Sequence, residues 1–183
     1  MKRSILTLIV SLASLQLFAQ YSGPVAEPEL APVFIGPGLG LDYGGIGINV
    51  MAMPSPYVGL FVGAGYNFVK LGFNGGARIY LTRPSARARP YFSGMYGYYA
   101  AIHVADAEQY DKVFYGATFG FGVDIMNRRN ERNYWTLALH VPLRGTEVDD
   151  YMASLKPQGI EFKGNLLPVT FTVGFRIGLP RDM

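Results

Sequence analysis

Along most of the chain, apolar and polar positions alternate one for one. From residue 33 onward the alternation divides into eight runs, 33–43, 46–53, 57–66, 69–81, 90–105, 112–125, 134–144 and 166–179, separated by clusters of turn-forming residues. No helical period is sustained among them, so the pattern predicts strands. Residues two apart on a strand share a face. One face collects Ile46, Ile48 and Val50, then Val58, Leu60, Val62 and Tyr66, then Leu71, Phe73, Ile79 and Leu81, then Phe92, Tyr96, Tyr98 and Ile102. It continues through Val113, Tyr115, Phe119, Phe121 and Val123, through Trp135, Leu137, Leu139, Val141 and Leu143, and through Leu167, Val169, Phe171, Val173, Phe175 and Ile177. No charged residue falls on this face. The other face takes Asp42, Lys70, Arg78, His103, Lys112, Asp124, His140, Arg144 and Arg176, with Asn49, Asn74, Ser93, Thr118, Thr136, Thr170 and Thr172.

Alternation alone leaves open which face is inside, because a soluble barrel puts its apolar face inward. The glycines decide. Gly36, Gly38, Gly40, Gly47, Gly63, Gly65, Gly72, Gly120 and Gly174 all share the polar face. On a water-facing surface they would weaken the strands without adding solubility, whereas an eight-strand barrel has room inside only for side chains to fill it. The apolar face therefore looks outward into lipid. Runs of about ten residues match the 9–11 that cross a bilayer at a tilt, and closure removes edges that hydrocarbon does not tolerate. The expected fold is all-β, an up-and-down antiparallel transmembrane β-barrel of eight strands over residues 33–179. Short turns at 53–56, 82–89 and 127–133 fall on the periplasmic side, and the longer connections 105–111 and 145–165 face outward.

Within this barrel the expected lumen polar network is Asp42, Lys70, Arg78, His103, Asp124, His140, Arg144 and Arg176. Strand direction places Arg78, Asp124 and Arg176 toward the periplasmic half and Asp42, Lys70, His103 and Arg144 toward the outer half. Buried charges persist only when paired, so Asp124 is expected to bridge Arg78, Arg176 or both, with Thr172 completing the contacts. Tyr43, Tyr66 and Trp135 lie near run ends and are expected in the aromatic girdle.

Residues before the first run read differently. Lys2 and Arg3 precede an apolar stretch from Ile5 to Ala19, the form of a secretory signal, and the expected cleavage removes residues 1–20. That lowers the formal charge from +3 to +1, so the basic balance gives no reason to expect nucleic acid. Residues 21–32, with prolines at 24, 28 and 32, read as a tether, and residues 180–183 as a short tail. The chain has no cysteine, which excludes disulfides and thiolate metal sites. Charged residues make up 16%, below the ~25% usual in soluble domains, which again suits a chain in an apolar solvent.

Little in the sequence carries chemistry. Gly36, Gly38 and Gly40 imitate a phosphate loop, but no helix follows them. Ser93, His103, His140 and Ser154 are the nucleophile and base candidates for chemistry on a lipid, but both histidines fall on the lumen face, and polar filling of the lumen is the expected role. Glu147, Asp149 and Asp150 lack the ligand spacing of a calcium loop and read as a solvated acidic loop. Arg83, Arg87 and Arg89, like Arg128, Arg129 and Arg132, read as solvated turn charge. No catalytic residue, metal or cofactor is expected.

Gly-Leu-Gly-Leu-Asp-Tyr at 38–43, Arg-Pro-Tyr-Phe-Ser-Gly-Met-Tyr-Gly-Tyr at 89–98, Phe-Gly-Phe-Gly-Val-Asp at 119–124 and Val-Thr-Phe-Thr-Val-Gly-Phe-Arg-Ile-Gly-Leu at 169–179 carry a resemblance. In these segments the chain resembles the small outer-membrane barrels, the OmpA-, OmpX- and OmpW-like group. The resemblance implies a Gram-negative outer-membrane location and a structural or surface-interaction role with a largely plugged lumen. It also covers narrow conduits for small hydrophobic solutes and, in some members, lipid A-modifying enzymes. Implied partners are outer-membrane lipids and lipopolysaccharide, the outer-membrane assembly machinery, and an extracellular ligand for segment 145–165.

Overall fold

A computed structural model describes residues 33–104, 110–127, 130, 132–158 and 168–179. The expected signal segment 1–20, tether 21–32 and tail 180–183 lie outside the described residues, as do Arg128, Arg129 and Leu167.

Eight strands follow one another: β1 (Val33–Gly40), β2 (Gly45–Ser55), β3 (Val58–Tyr66), β4 (Leu71–Tyr80), β5 (Ala88–Ile102), β6 (Lys112–Met126), β7 (Asn133–Pro142) and β8 (Thr170–Leu179). Each pairs antiparallel with its neighbour in sequence, and β1 pairs with β8, from Val33 opposite Leu179 to Leu39 opposite Val173. The sheet is a closed up-and-down barrel with no free edge. One end carries the connections after β1, β3, β5 and β7, the loop end; the other carries the described chain termini and the remaining turns.

Alternation sorts the side chains as the pattern expects over most of the wall. Ile48, Val62, Phe73, Tyr96, Phe121 and Leu139 point outward and are at least half exposed, whereas Asn49, Arg78, Asp124, Thr136, His140, Thr172 and Arg176 point inward and are fully buried or nearly so. Burying polar groups inside and exposing large apolar ones outside inverts the order of a water-soluble barrel.

Three local features depart from simple alternation. In β5 the register shifts between Tyr98 and Ala100, the mark of a bulge, in which one extra residue reverses the parity beyond it. Tyr98 and Ile102, expected outside, are consequently buried at 8% and 6% exposure. Second, the segment between β7 and β8 is not simply an acidic loop: Glu147–Leu155 forms a helix, α1, followed by a 3-10 turn at Lys156–Gln158. Val148 and Leu155 bury themselves against Tyr99, Ile102, Val104 and Phe114 of the projecting β5–β6 hairpin. Glu147, Asp149 and Asp150 stay on its exposed first turn, where negative charge favours the helix dipole.

The third departure shapes the interior. Residues 41–43 do not continue β1 but form a 3-10 turn, closed by the Gly44 amide donating to the Leu41 carbonyl at 3.0 Å. The turn folds into the barrel, so Leu41, Asp42 and Tyr43 are all buried. Gly44 has φ +72°, a left-handed conformation that glycine adopts without a Cβ penalty.

Candidate functional site

The lumen residues converge because the pleat of seven neighbouring strands aims them at one axis and the inward turn adds Asp42 from above. Arg78 on β4 is the hub. Its guanidinium donates to the Asp42 carboxylate, and Nη1 lies 3.3 Å from Asp124 and 3.1 Å from the Thr136 hydroxyl. Tyr91 and Phe61 rings flank it, with centroids at 4.2 and 5.4 Å, a cation–π setting that a desolvated guanidinium favours. Asp124 on β6 also accepts from the Tyr80 hydroxyl at 2.6 Å and from the Thr136 hydroxyl. Two arginines thus face two aspartates in an interior sealed from water, the condition under which buried charges persist.

His140 on β7 joins the network from the other side. Its Nε2 stands 2.8 Å from the Asp42 carboxylate, approaching off the line of an aligned hydrogen bond, and its Nδ1 is 3.3 Å from the Thr172 hydroxyl. Arg176 on β8 is held more loosely. Its Nη1 reaches Thr136 at 3.4 Å and its Nη2 stays 3.9 Å from Asp42. Its Nε and Nη2 have no hydrogen-bond acceptor among the described residues.

The expected bridge from Asp124 therefore runs to Arg78, completed by Thr136 and Tyr80; Thr172 contacts His140 instead. Asp42 reaches the middle of the lumen because its turn dips inward. Lys70 and His103 stand at the loop-end rim, not in the lumen, because they lie in the connections, one residue before β4 begins and one residue after β5 ends. There Lys70 Nζ donates to the Asp111 carbonyl at 3.3 Å, and the His103 ring lies 3.0 Å from the Asp111 carboxylate. Arg144 lies just past β7 and is half-buried.

Tyr66 and Trp135, expected in the girdle, face outward at opposite ends of the wall, each about half exposed. Tyr43 does not: it is fully buried inside, carried there by the turn, with its ring 5.4 Å from the Arg176 guanidinium. Glycines make the space. A Cβ on Gly63 would overlap the Asp42 carbonyl oxygen, and one on Gly174 would overlap the Tyr43 hydroxyl.

The four residues weighed for lipid chemistry do not assemble. Ser93 and His140 are both buried over Gly120, Ser154 is exposed on α1 and donates to the Tyr151 carbonyl, and His103 is on the rim. The chain Asp42–His140–Thr172 has the order of a carboxylate, imidazole and hydroxyl relay, but all three are wholly buried. Toward the terminus end, Phe34, Met51, Tyr80, Met126 and Tyr134 close around Asp124 so tightly that no water fits among them.

No protein-family model matches the chain, and no curated protein matches it. Among solved structures it is similar to the N-terminal β-barrel domain of Pseudomonas aeruginosa OprF, with 12% identity and a TM-score of 0.46 over 79% of this chain and 95% of that chain.

Proposed function

We propose that the protein is an integral β-barrel of a Gram-negative outer membrane, exported by cleavage of residues 1–20, with a structural or surface-interaction role and a lumen closed to free ion flow. The observation that carries this reading is the inversion of the wall: outward Leu60, Val62, Phe73, Ile79, Phe92, Phe119 and Phe121 are each half exposed or more, while charge is packed inside. In water such a belt would far exceed the few hundred Å² that soluble monomers leave exposed; in lipid it is the surface that solvates the protein. Outer-membrane lipids and lipopolysaccharide then surround the belt, and the assembly machinery inserts it. Segment 145–165, with α1 at its start, presents the loop end to an extracellular ligand.

The ion network and the tight aromatic and methionine layer beneath it support the closed lumen. Reconstituted in a planar bilayer, the protein is expected to show no sustained conductance while migrating on a denaturing gel with the heat-dependent shift of a folded barrel. A large, stable open conductance from folded protein would overturn the closed lumen and favour a porin.

A further inference from the structure

We propose that the inward turn Leu41–Gly44 is a tethered internal ligand, and that Asp42 occupies a binding site for a small carboxylate anion formed by Arg78, Arg176 and His140. The inference rests on the closed barrel whose loop end faces outward.

The donor set is that of an anion site. Two guanidiniums and an imidazole converge on one carboxylate, with Arg78 donating directly, His140 Nε2 at 2.8 Å and Arg176 Nη2 at 3.9 Å. Guanidiniums recognise planar carboxylates through paired N–H donors. Arg176 is not fully used: it is wholly buried, and its Nε and Nη2 find no acceptor among the described residues. Asp42 hangs from a turn, so its carboxylate is placed by the turn's geometry, not by the site's. A free carboxylate is not so constrained and is able to engage both arginines.

The charge count points the same way. With Asp42 withdrawn, Arg78 and Arg176 face only Asp124 within the network, and the unbalanced buried cation requires an anion in its place.

The turn has a glycine at each end on which to hinge. Gly40 (φ +127°) precedes it, and Gly44 (φ +72°) and Gly45 (φ +113°) follow it. Its backbone lies against the bare backbone of Gly63 and Gly47, where any side chain would collide with it, so its main chain moves past glycine alone, and withdrawal carries the buried Leu41 and Tyr43 side chains out of the lumen with it. From the wall, Asn49 Nδ2 donates to the Asp42 carbonyl at 2.7 Å. The tight layer below Asp124 stays in place, so withdrawal opens a pocket from the loop end, not a channel.

The chain has no native cysteine, so Leu41→Cys reports on the turn by its maleimide labelling rate in folded, micelle-embedded protein, with folding checked by gel mobility. Sodium acetate is the probe, against sodium chloride at equal ionic strength. Labelling is expected to be slow without acetate, to rise saturably by about tenfold with it, and to ignore chloride. Asp42→Asn in the same background should label fast without any anion. Arg176→Met should remain folded and lose the acetate response. Slow labelling that acetate does not change, or that chloride changes equally, overturns the internal-ligand proposal while leaving the closed barrel intact. Fast labelling of Leu41→Cys with no anion present would show that the turn is not seated, and would overturn the closed lumen as well.

Discussion

Replacing Asp124 by alanine tests the energetics of the lumen most sharply. Asp124 is buried, lies 3.3 Å from Arg78 Nη1, and accepts from the hydroxyls of Tyr80 and Thr136. Removing the carboxylate leaves Asp42 as the sole acid facing Arg78 and Arg176, so one buried positive charge loses its counter-ion. Breaking a buried pair from one side costs about 3–5 kcal/mol. The Tyr80 and Thr136 hydroxyls lose their acceptor at the same time, a further penalty on the order of 1 kcal/mol each if nothing replaces it. The methyl of alanine fills little of the space, and the tight packing around Met51, Tyr80 and Tyr134 leaves water no room to enter without rearrangement. A total at or above the upper end of that range is therefore expected. Equilibrium urea unfolding in lipid vesicles, followed by gel mobility, measures it. Asp124→Asn keeps an acceptor oxygen for one of the two hydroxyls but not the charge and should fall between wild type and Asp124→Ala. A loss below about 1 kcal/mol for Asp124→Ala, the value of an exposed pair, would refute a dry, paired lumen.

Leu139→Arg, on the outward face, should cost about 2–4 kcal/mol if the site lies near the bilayer midplane, whereas Thr170→Lys on the inward face should be milder; equal tolerance in the same assay would reverse the inside-out assignment. Gly63→Ala drives a Cβ into the Asp42 carbonyl and should destabilise by about 1–3 kcal/mol through overpacking, with Leu41→Cys labelling accelerated; an unchanged stability and labelling rate would mean the turn is not seated there. At the rim, hydrogen bonds from the Val104 amide and the His103 ring hold the Asp111 carboxyl below its ordinary value of 3.8. A depressed carboxylate contributes stability above the unfolded value and loses it as pH falls through the folded one, so this clasp should persist to mildly acid pH and loosen only below about 3.8. An NMR titration of the Asp111 carboxyl carbon with a midpoint at or above 3.8 would contradict it.

The barrel was legible because period-two alternation is a property of each strand alone, and because glycine and charge sharing a face distinguishes a filled lumen from a watery surface. What the alternation misses are the places where one residue changes its meaning. The bulge at Tyr98–Ala100 turns Tyr98 and Ile102 inward, and no local composition marks it. The pattern continues as strand through 41–43 because Leu41 and Tyr43 keep the apolar period; the glycines flanking the turn at 40, 44 and 45 are the local sign that the chain bends. Its depth depends on bare backbone at Gly63 and Gly174, which no local pattern reveals. Helix α1 did carry a signal, since Val148, Met152 and Leu155 stand at the four- and three-residue spacing of one helical face, in a segment the acidic residues made look like loop. Parity puts both Asp42 and Arg78 in the lumen and strand direction puts them in different halves; the inward fold of the turn makes them partners.

The central claim, an inside-out barrel whose outer wall meets hydrocarbon, is tested most directly by the chain's single tryptophan. Trp135 stands outward on β7, about half exposed and 5.0 Å from the Phe175 ring. After folding into vesicles of lipids brominated along the acyl chain, its fluorescence should be strongly quenched, while aqueous iodide quenches it little. Full iodide access with no bromine quenching, from protein that remains monomeric without lipid or detergent, would contradict the account.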